Sequence, residues 1–536
     1  MLRALLGMRL LLPVVVACAL ALSGCGPARD LNAIIYGRGS DAETLDPIHA
    51  TNGETVNVLV NLYDGLIAYD DETIELVPAL AEKWESSADG LTWTFHLRPN
   101  VKFHDGTPCD AAAVVFNFDR LTNLDGKKLE DVHVYHGIPP YSPNFAMIDK
   151  VEATDPLTVT FKLKHPSAIF LKNVALFAAS IASPTAIKKH GKEYGLHPSG
   201  TGPYKLGSWR RQEELVLEAA PDHWRGKAKN GRVIFIPVAE HAVRIAQLKR
   251  GEIDIADNLP ATELKALAGT PGIKFQKQPG MNVGYLAFQT QKGITANRKF
   301  REGVAHAIDK KKLIEVAYAG AARPAVNMMP SSFLGYNSDI VDRQIDLEKA
   351  KKLFEEAAAE TGTKLPVALR FFVMQATRPY MQQPKETATF IRDALKPLGV
   401  DLEIRIQDNN LHFQSLSRGE HDLALAGWTS DAIDPDTFLY SLLDPDNIND
   451  AGGNNMSRYN NPEVHRLLIA AQRELDETKR AAMYRQVQQL AFDDVPTIPL
   501  AHTDLQIAER ESLQGYKLHP SSLTRMRHAW LKESSP

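Results

Sequence analysis

The chain has 536 residues, 44% of them hydrophobic and 24% charged, with 61 basic side chains against 65 acidic ones. That is an ordinary globular composition, long enough for roughly two to four domain-sized units. A net charge of −4 with no dense basic block excludes a nucleic-acid binder, and no low-complexity tract or solenoid repeat is present.

Residues 1–24 read as a signal peptide. Arg3 and Arg9 precede the apolar run "LLLPVVVACALAL", which is too short to span a bilayer and is interrupted by Pro13. It ends in Leu22-Ser23-Gly24-Cys25, which resembles a bacterial lipobox and implies cleavage before Cys25 and diacylation of its thiol. Two acyl chains suffice for stable anchoring. No later segment is apolar for long enough to span, so the mature chain is expected outside the cytoplasm, tethered to a membrane by lipidated Cys25. Cys18 leaves with the signal, and Cys109 is left without a disulfide partner. It reads as an ordinary buried or half-buried thiol.

The remaining elements read as mixed α/β. "NAIIYGRG" is a short strand, and "LTWTFHLRP" alternates as a half-buried one before a turn at Asp105-Gly106. "PCDAAAVVFNFDRL" is a helix capped by Asp110. From about Tyr285 strands alternate with helices: "DKKKLIEVAYAG", "LPVALRFFVM", "PKETATFIRDALKPLG", "VDLEIRIQ" and "HDLALAGW". This alternation predicts a parallel sheet with ligands at the carboxyl ends of its strands.

At one such end stands "AGWTSDAIDPDTF", with Asp431, Asp434 and Asp436 behind Trp428. The aspartates occupy relative positions 1, 4 and 6, not the 1, 3 and 5 of an EF-hand loop, and Pro435 stiffens the middle. No HExxH, zinc spacing, GxSxG elbow or P-loop occurs. "GRGSDA" fits GxGxxA only formally, since no helix follows, and reads as a turn. No catalytic or metal-binding constellation emerges, which favours a binder over an enzyme.

Residues 76–120, "LVPALAEKWESSADGLTWTFHLRPNVKFHDGTPCDAAAVVFNFDR", resemble the hallmark segment of the extracytoplasmic solute-binding proteins of peptide and nickel ABC transporters, family 5. "PSGTGPYKL", "PGMNVGYLAFQ", "FREGVAHAIDKKKLIEVAYAGAARPAVNMMPSSFLGYN" and "NNMSRYNNPEV" follow in the family's order. The likeness is greatest to the dipeptide-binding branch, whose QRPY-type and GWTGD-type segments are matched by "ATRPY" and "GWTSD".

The resemblance implies that Asp431 pairs with a peptide's α-ammonium group and Arg378 with its α-carboxylate. A zwitterion enclosed between lobes needs a counter-charge at each end, and a guanidinium fork suits a carboxylate. The charged ends of an extended dipeptide lie roughly 6–7 Å apart, so two fixed counter-charges act as a ruler for ligand length. Gly427 and Trp428 belong to the same motif; Trp428 is either core or a wall of the cavity. Tyr380 is a candidate to add a hydroxyl at the carboxylate. Asp434 and Asp436 read as turn and cap residues ahead of the helix "TFLYSLL". The chain departs from the pattern at Ser430 and Thr377, where the family has glycine and glutamine, at Ile433, and in lacking a cysteine pair in "LYSLLDPDNINDAGG".

The implied architecture is the two-lobed periplasmic-binding-protein fold of cluster C type, with an extra subdomain inserted in the first lobe. The first lobe is expected at about 26–281 plus 502–536, the inserted subdomain at about 72–197 and the second lobe at about 282–501. Chain crossings are expected near "MNVGYLAF" and "VPTIPLAH". The resemblance implies no cofactor and no catalytic residue. Expected partners are a dipeptide or short peptide, the permease subunits and the membrane through the lipid anchor, with the chain a monomer. Haem, glutathione, nickel chelates and oligosaccharides are the ligands of other branches, and a lipid-anchored peptide hydrolase is the reading from another class.

Overall fold

Strand Leu423–Thr429 and the second half of Val367–Met374 are buried on both faces, which is why they read as apolar runs, whereas Val400–Gln407 lies at the sheet edge and alternates buried and exposed residues. In a computed structural model, which describes residues 30–123, 126–430, 432–450 and 452–533 (the side chains of 409 and 410 excepted), Val400–Gln407, Val367–Met374 and Leu423–Thr429 lie side by side and parallel. Asn282–Phe288 then pairs antiparallel with Leu423–Thr429. The expected parallel sheet is therefore parallel over these three strands and mixed at its centre, because alternation shows that a strand exists but not which way it runs. On one face of these strands lie Leu286, Phe371, Val373, Leu423 and Leu425; on the other lie Val283, Phe372, Ala424 and Ala426.

The link to the other half of the sheet is Thr497–Arg510, a strand of 14 residues. Its first residues pair with Gly284–Ala287 and its last with Ile273–Pro279 and Ile255–Ala256. Beyond it the sheet continues through Ala33–Arg38, Arg232–Pro237, Glu214–Ala219 and Tyr204–Arg210. This half has its own core, built on Ile34, Leu59, Leu62, Leu215, Val233 and Phe235.

A separate antiparallel sheet, in the order Ala81–Ser86, Thr92–Leu97, Thr158–Leu163 and Ile148–Asp155, packs against helix Ala111–Thr122. Phe161 is its centre, with the rings of Phe95, Phe118 and Phe170 edge-on at 5.3, 4.8 and 5.5 Å. The helix begins where Asp110 accepts the N–H of Ala113 at 3.0 Å, and Lys310–Tyr318 begins where Asp309 accepts that of Lys312 at 3.1 Å. Two lobes on one strand-linked sheet, with an added antiparallel subdomain, make up the periplasmic-binding-protein fold.

Candidate functional site

Strand Leu423–Thr429 carries Gly427 directly opposite Gly284 of Asn282–Phe288. A Cβ on Gly427 would fall 2.0 Å from Cδ2 of Tyr380, and one on Gly284 would fall 2.3 Å from the Tyr380 carbonyl. The paired glycines leave a slot in the sheet surface, and the "ATRPY" loop lies in it. Arg378 and Met381 exchange backbone hydrogen bonds of 3.0 and 2.9 Å across the turn. Thr503 donates its hydroxyl to the Pro379 carbonyl at 2.7 Å, and Tyr318 donates to that of Tyr380 at 3.3 Å. Packing and hydrogen bonds thus fix the backbone that carries Arg378.

Arg378 is half-buried, and its Nε is a buried donor without a hydrogen-bond partner among the described residues. Burial pushes the Tyr380 hydroxyl up to about 12, with the positive charge of Arg378 pulling the other way. Arg378, Tyr380 and Gly427 are therefore brought together. Trp428, one residue on, points to the opposite face of the sheet and packs against the cluster that holds Val283, Phe438 and Tyr69. Its indole Nε1 is also buried without a partner among the described residues. The two donors lie on different elements and face opposite sides of the sheet, so only that of Arg378 stands beside Tyr380 and Gly427.

Of the three aspartates behind Trp428, Asp431 lies outside the described residues. Asp434 is 1% exposed and accepts from both Nη atoms of Arg480, at 2.7 and 2.6 Å, and from Lys172 Nζ at 2.9 Å. Burial alone would raise its carboxyl, but Arg480 and Lys172 outweigh burial and hold it below its ordinary value. The turn role expected for it exists, since it accepts the N–H of Asp436 at 2.9 Å. Its main role is different: it is a buried counter-ion. Asp436 does not cap the helix Asp436–Leu443, whose N-cap is Pro435 with no side-chain bond. It is buried, accepts from Gln472 at 3.2 Å through one oxygen, and is pushed up to about 7 by burial and the charge of Asp434.

Asp434, already neutralised by two cations, has no charge to spare for a metal. A group that sequence spacing did not reveal lies further on: ligand atoms of Asp444, Asp446 and His465 come within 4.8 Å of one another. There His465 Nδ1 sits 3.1 Å from both oxygens of Asp444 and satisfies that buried carboxylate. Cys109 is buried, and burial pushes its thiol far above the reactive range. Cys25 lies outside the described residues.

The fold is that of the periplasmic-binding-protein class. Residues 75–450 match the model for bacterial extracellular solute-binding proteins, family 5 middle. Dipeptide-binding protein of Escherichia coli (strain K12) is 30% identical over 506 residues, covering 91% of this chain and 92% of that protein. Heme-binding protein A of Haemophilus influenzae is 32% identical over 460 residues, with 82% of each covered. The ABC transporter-associated periplasmic binding protein DppA from Helicobacter pylori, solved with the peptide STSA, superposes at TM-score 0.81 with 30% identity, over 94% of this chain and 98% of that one. The chain belongs to family 5 of the bacterial extracellular solute-binding proteins. It is a binding protein and not an enzyme, and among its described residues no helix is long and apolar enough to cross a membrane.

Proposed function

We propose that the protein captures dipeptides or short peptides in the cleft between its lobes and delivers them to the permease of an ABC importer. Arg378 holds the α-carboxylate and Asp431 the α-ammonium, with Gly427, Trp428 and Tyr380 shaping the site. The observation that carries this reading is the half-buried guanidinium of Arg378, fixed on the sheet with a buried Nε lacking a partner among the described residues. The fate of the neighbouring acids supports it. Asp434 is fully engaged with Arg480 and Lys172, and Asp436 is raised to about 7, so neither offers a firm negative charge to a ligand's ammonium. The lobes divide near residues 281 and 502, and lipidated Cys25 keeps the receptor beside the permease.

Free dipeptides then bind far better than versions acetylated at the amine or amidated at the carboxyl. Leaving one buried charge unpaired costs about 3–5 kcal/mol, or on the order of a hundredfold or more in affinity. Equal calorimetric affinity for free and blocked dipeptides refutes the ruler. The relative named for haem motivates a second arm: titration with haem, followed by absorbance. Haem binding with no peptide binding replaces the reading.

A further inference from the structure

The two lobes touch beside the aspartate segment as well as through their shared sheet. Lys172, on helix Phe170–Val174, reaches Asp434 at 2.9 Å across 262 residues of chain. The Tyr69 hydroxyl accepts the N–H of Ile433 at 3.1 Å, and the N–H of Ala168 donates to the Gln472 carbonyl at 2.9 Å. On one side of this seam stand residues 69–172, and on the other residues 433–472. Leu475 adds apolar contact by packing over Gly90.

The two cations on Asp434 differ in kind. Arg480 belongs to the same lobe as Asp434, is 3% exposed and grips both carboxylate oxygens, so the Asp434–Arg480 pair is preformed whatever the lobes do. Lys172 is 24% exposed and comes from the opposite lobe, so its bond forms only when the lobes meet. Asp434 also stands three residues from Asp431 in the same short segment.

We propose that Lys172 is a positioning residue for ligand capture: it latches the first lobe to the Asp434 segment and stabilises the closed form around the ligand. This rests on the proposed peptide-binding reading for the identity of the ligand, but not for the latch itself. Ligand and latch both favour the closed state, so each strengthens the other through one shared equilibrium. The ammonium of Lys172 is engaged with Asp434, so its role runs through closure. Its loss therefore acts on closure, and the effect falls mainly on dissociation.

The test compares wild type with Lys172→Met and Lys172→Arg, using calorimetry, stopped-flow dissociation of a dipeptide, and small-angle scattering with and without peptide. Lys172→Met weakens binding by roughly five- to tenfold, the scale of a modest coupling between sites. It also speeds release and shifts the liganded scattering profile toward an open form. Lys172→Arg restores most of the affinity and the closed profile. If Lys172→Met matches wild type in release rate and in closed fraction, the latch is wrong and the peptide reading stands. If wild type binds no peptide, the peptide reading falls, and the latch is judged on ligand-free scattering. There Lys172→Met must deplete the closed fraction, and an unchanged profile overturns it.

Discussion

Two buried carboxylates, Asp434 in the second lobe and Asp257 in the first, each lie among arginines and behave in opposite ways. Arg480 forks onto both oxygens of Asp434, and the carboxyl is held down. Around Asp257 the guanidinium groups are committed elsewhere. Arg38 donates to the Glu54 carbonyl and to Asp41, both at 2.9 Å. Arg244 donates to the carbonyls of Val238, Ala239, Asp257 and Asn258. Among the described residues the Asp257 carboxylate keeps one donor, the Tyr36 hydroxyl at 3.1 Å, while burial and the nearby charge of Glu54 push it up to about 7. The number of neighbouring cations does not set the charge state; direct hydrogen bonds in the right geometry do.

The largest effect expected from this contrast is at Asp434. Asp434→Asn strips the charge from a pair in which Arg480 cannot reach water, and leaving a buried partner uncompensated costs about 3–5 kcal/mol. Urea unfolding at neutral pH measures it. A loss within about 1 kcal/mol, the usual value of a cap or turn bond, would mean that Asp434 is a turn residue after all.

Asp257 gives a smaller effect, visible mainly as a pH dependence. Its folded carboxyl is raised above the unfolded value near 3.9, so between the two the folded state holds the extra proton. Stability from this group is full below the unfolded value and is lost as pH rises towards 7. Asp257→Asn carries no such proton and so gains on the wild type between pH 5 and pH 7, by about 1–2 kcal/mol once the sharing of charge with Glu54 is allowed for. Parallel unfolding curves at the two pH values, with a constant difference between variant and wild type, would show that Asp257 is ionised throughout.

How much of this could be read in advance follows from the range of each interaction. The strands at 367–374, 400–407 and 423–429 and the caps at Asp110 and Asp309 are local, and their apolar runs and capping residues show them. The "ATRPY" and "GWTSD" segments are local too, and they mark where Arg378 and Trp428 stand in the chain. What was not readable depends on register and on distant partners. That Tyr380 lies on Gly427 requires knowing that Gly427 faces Gly284, which is a pairing and not a pattern. Asp434 looks like any turn aspartate until Arg480, 46 residues away, and Lys172, 262 residues away, are placed beside it.

The smallest expected effect is at Glu152, which has the same cation count as Asp434. Lys150 approaches one oxygen at 2.6 Å and Lys162 the other at 2.9 Å, on strands Ile148–Asp155 and Thr158–Leu163. One carboxylate between two cations is the composition of the Asp434 site, but this pair of lysines stands in solvent, with side chains 59% and 51% exposed. Water and salt screen the attraction, and holding two long side chains in place costs them rotamer freedom. Glu152→Gln therefore leaves the urea midpoint where it is, at low and at moderate salt. A midpoint shift as large as that of Asp434→Asn would reverse the comparison, because cation count would then matter more than burial and bidentate geometry.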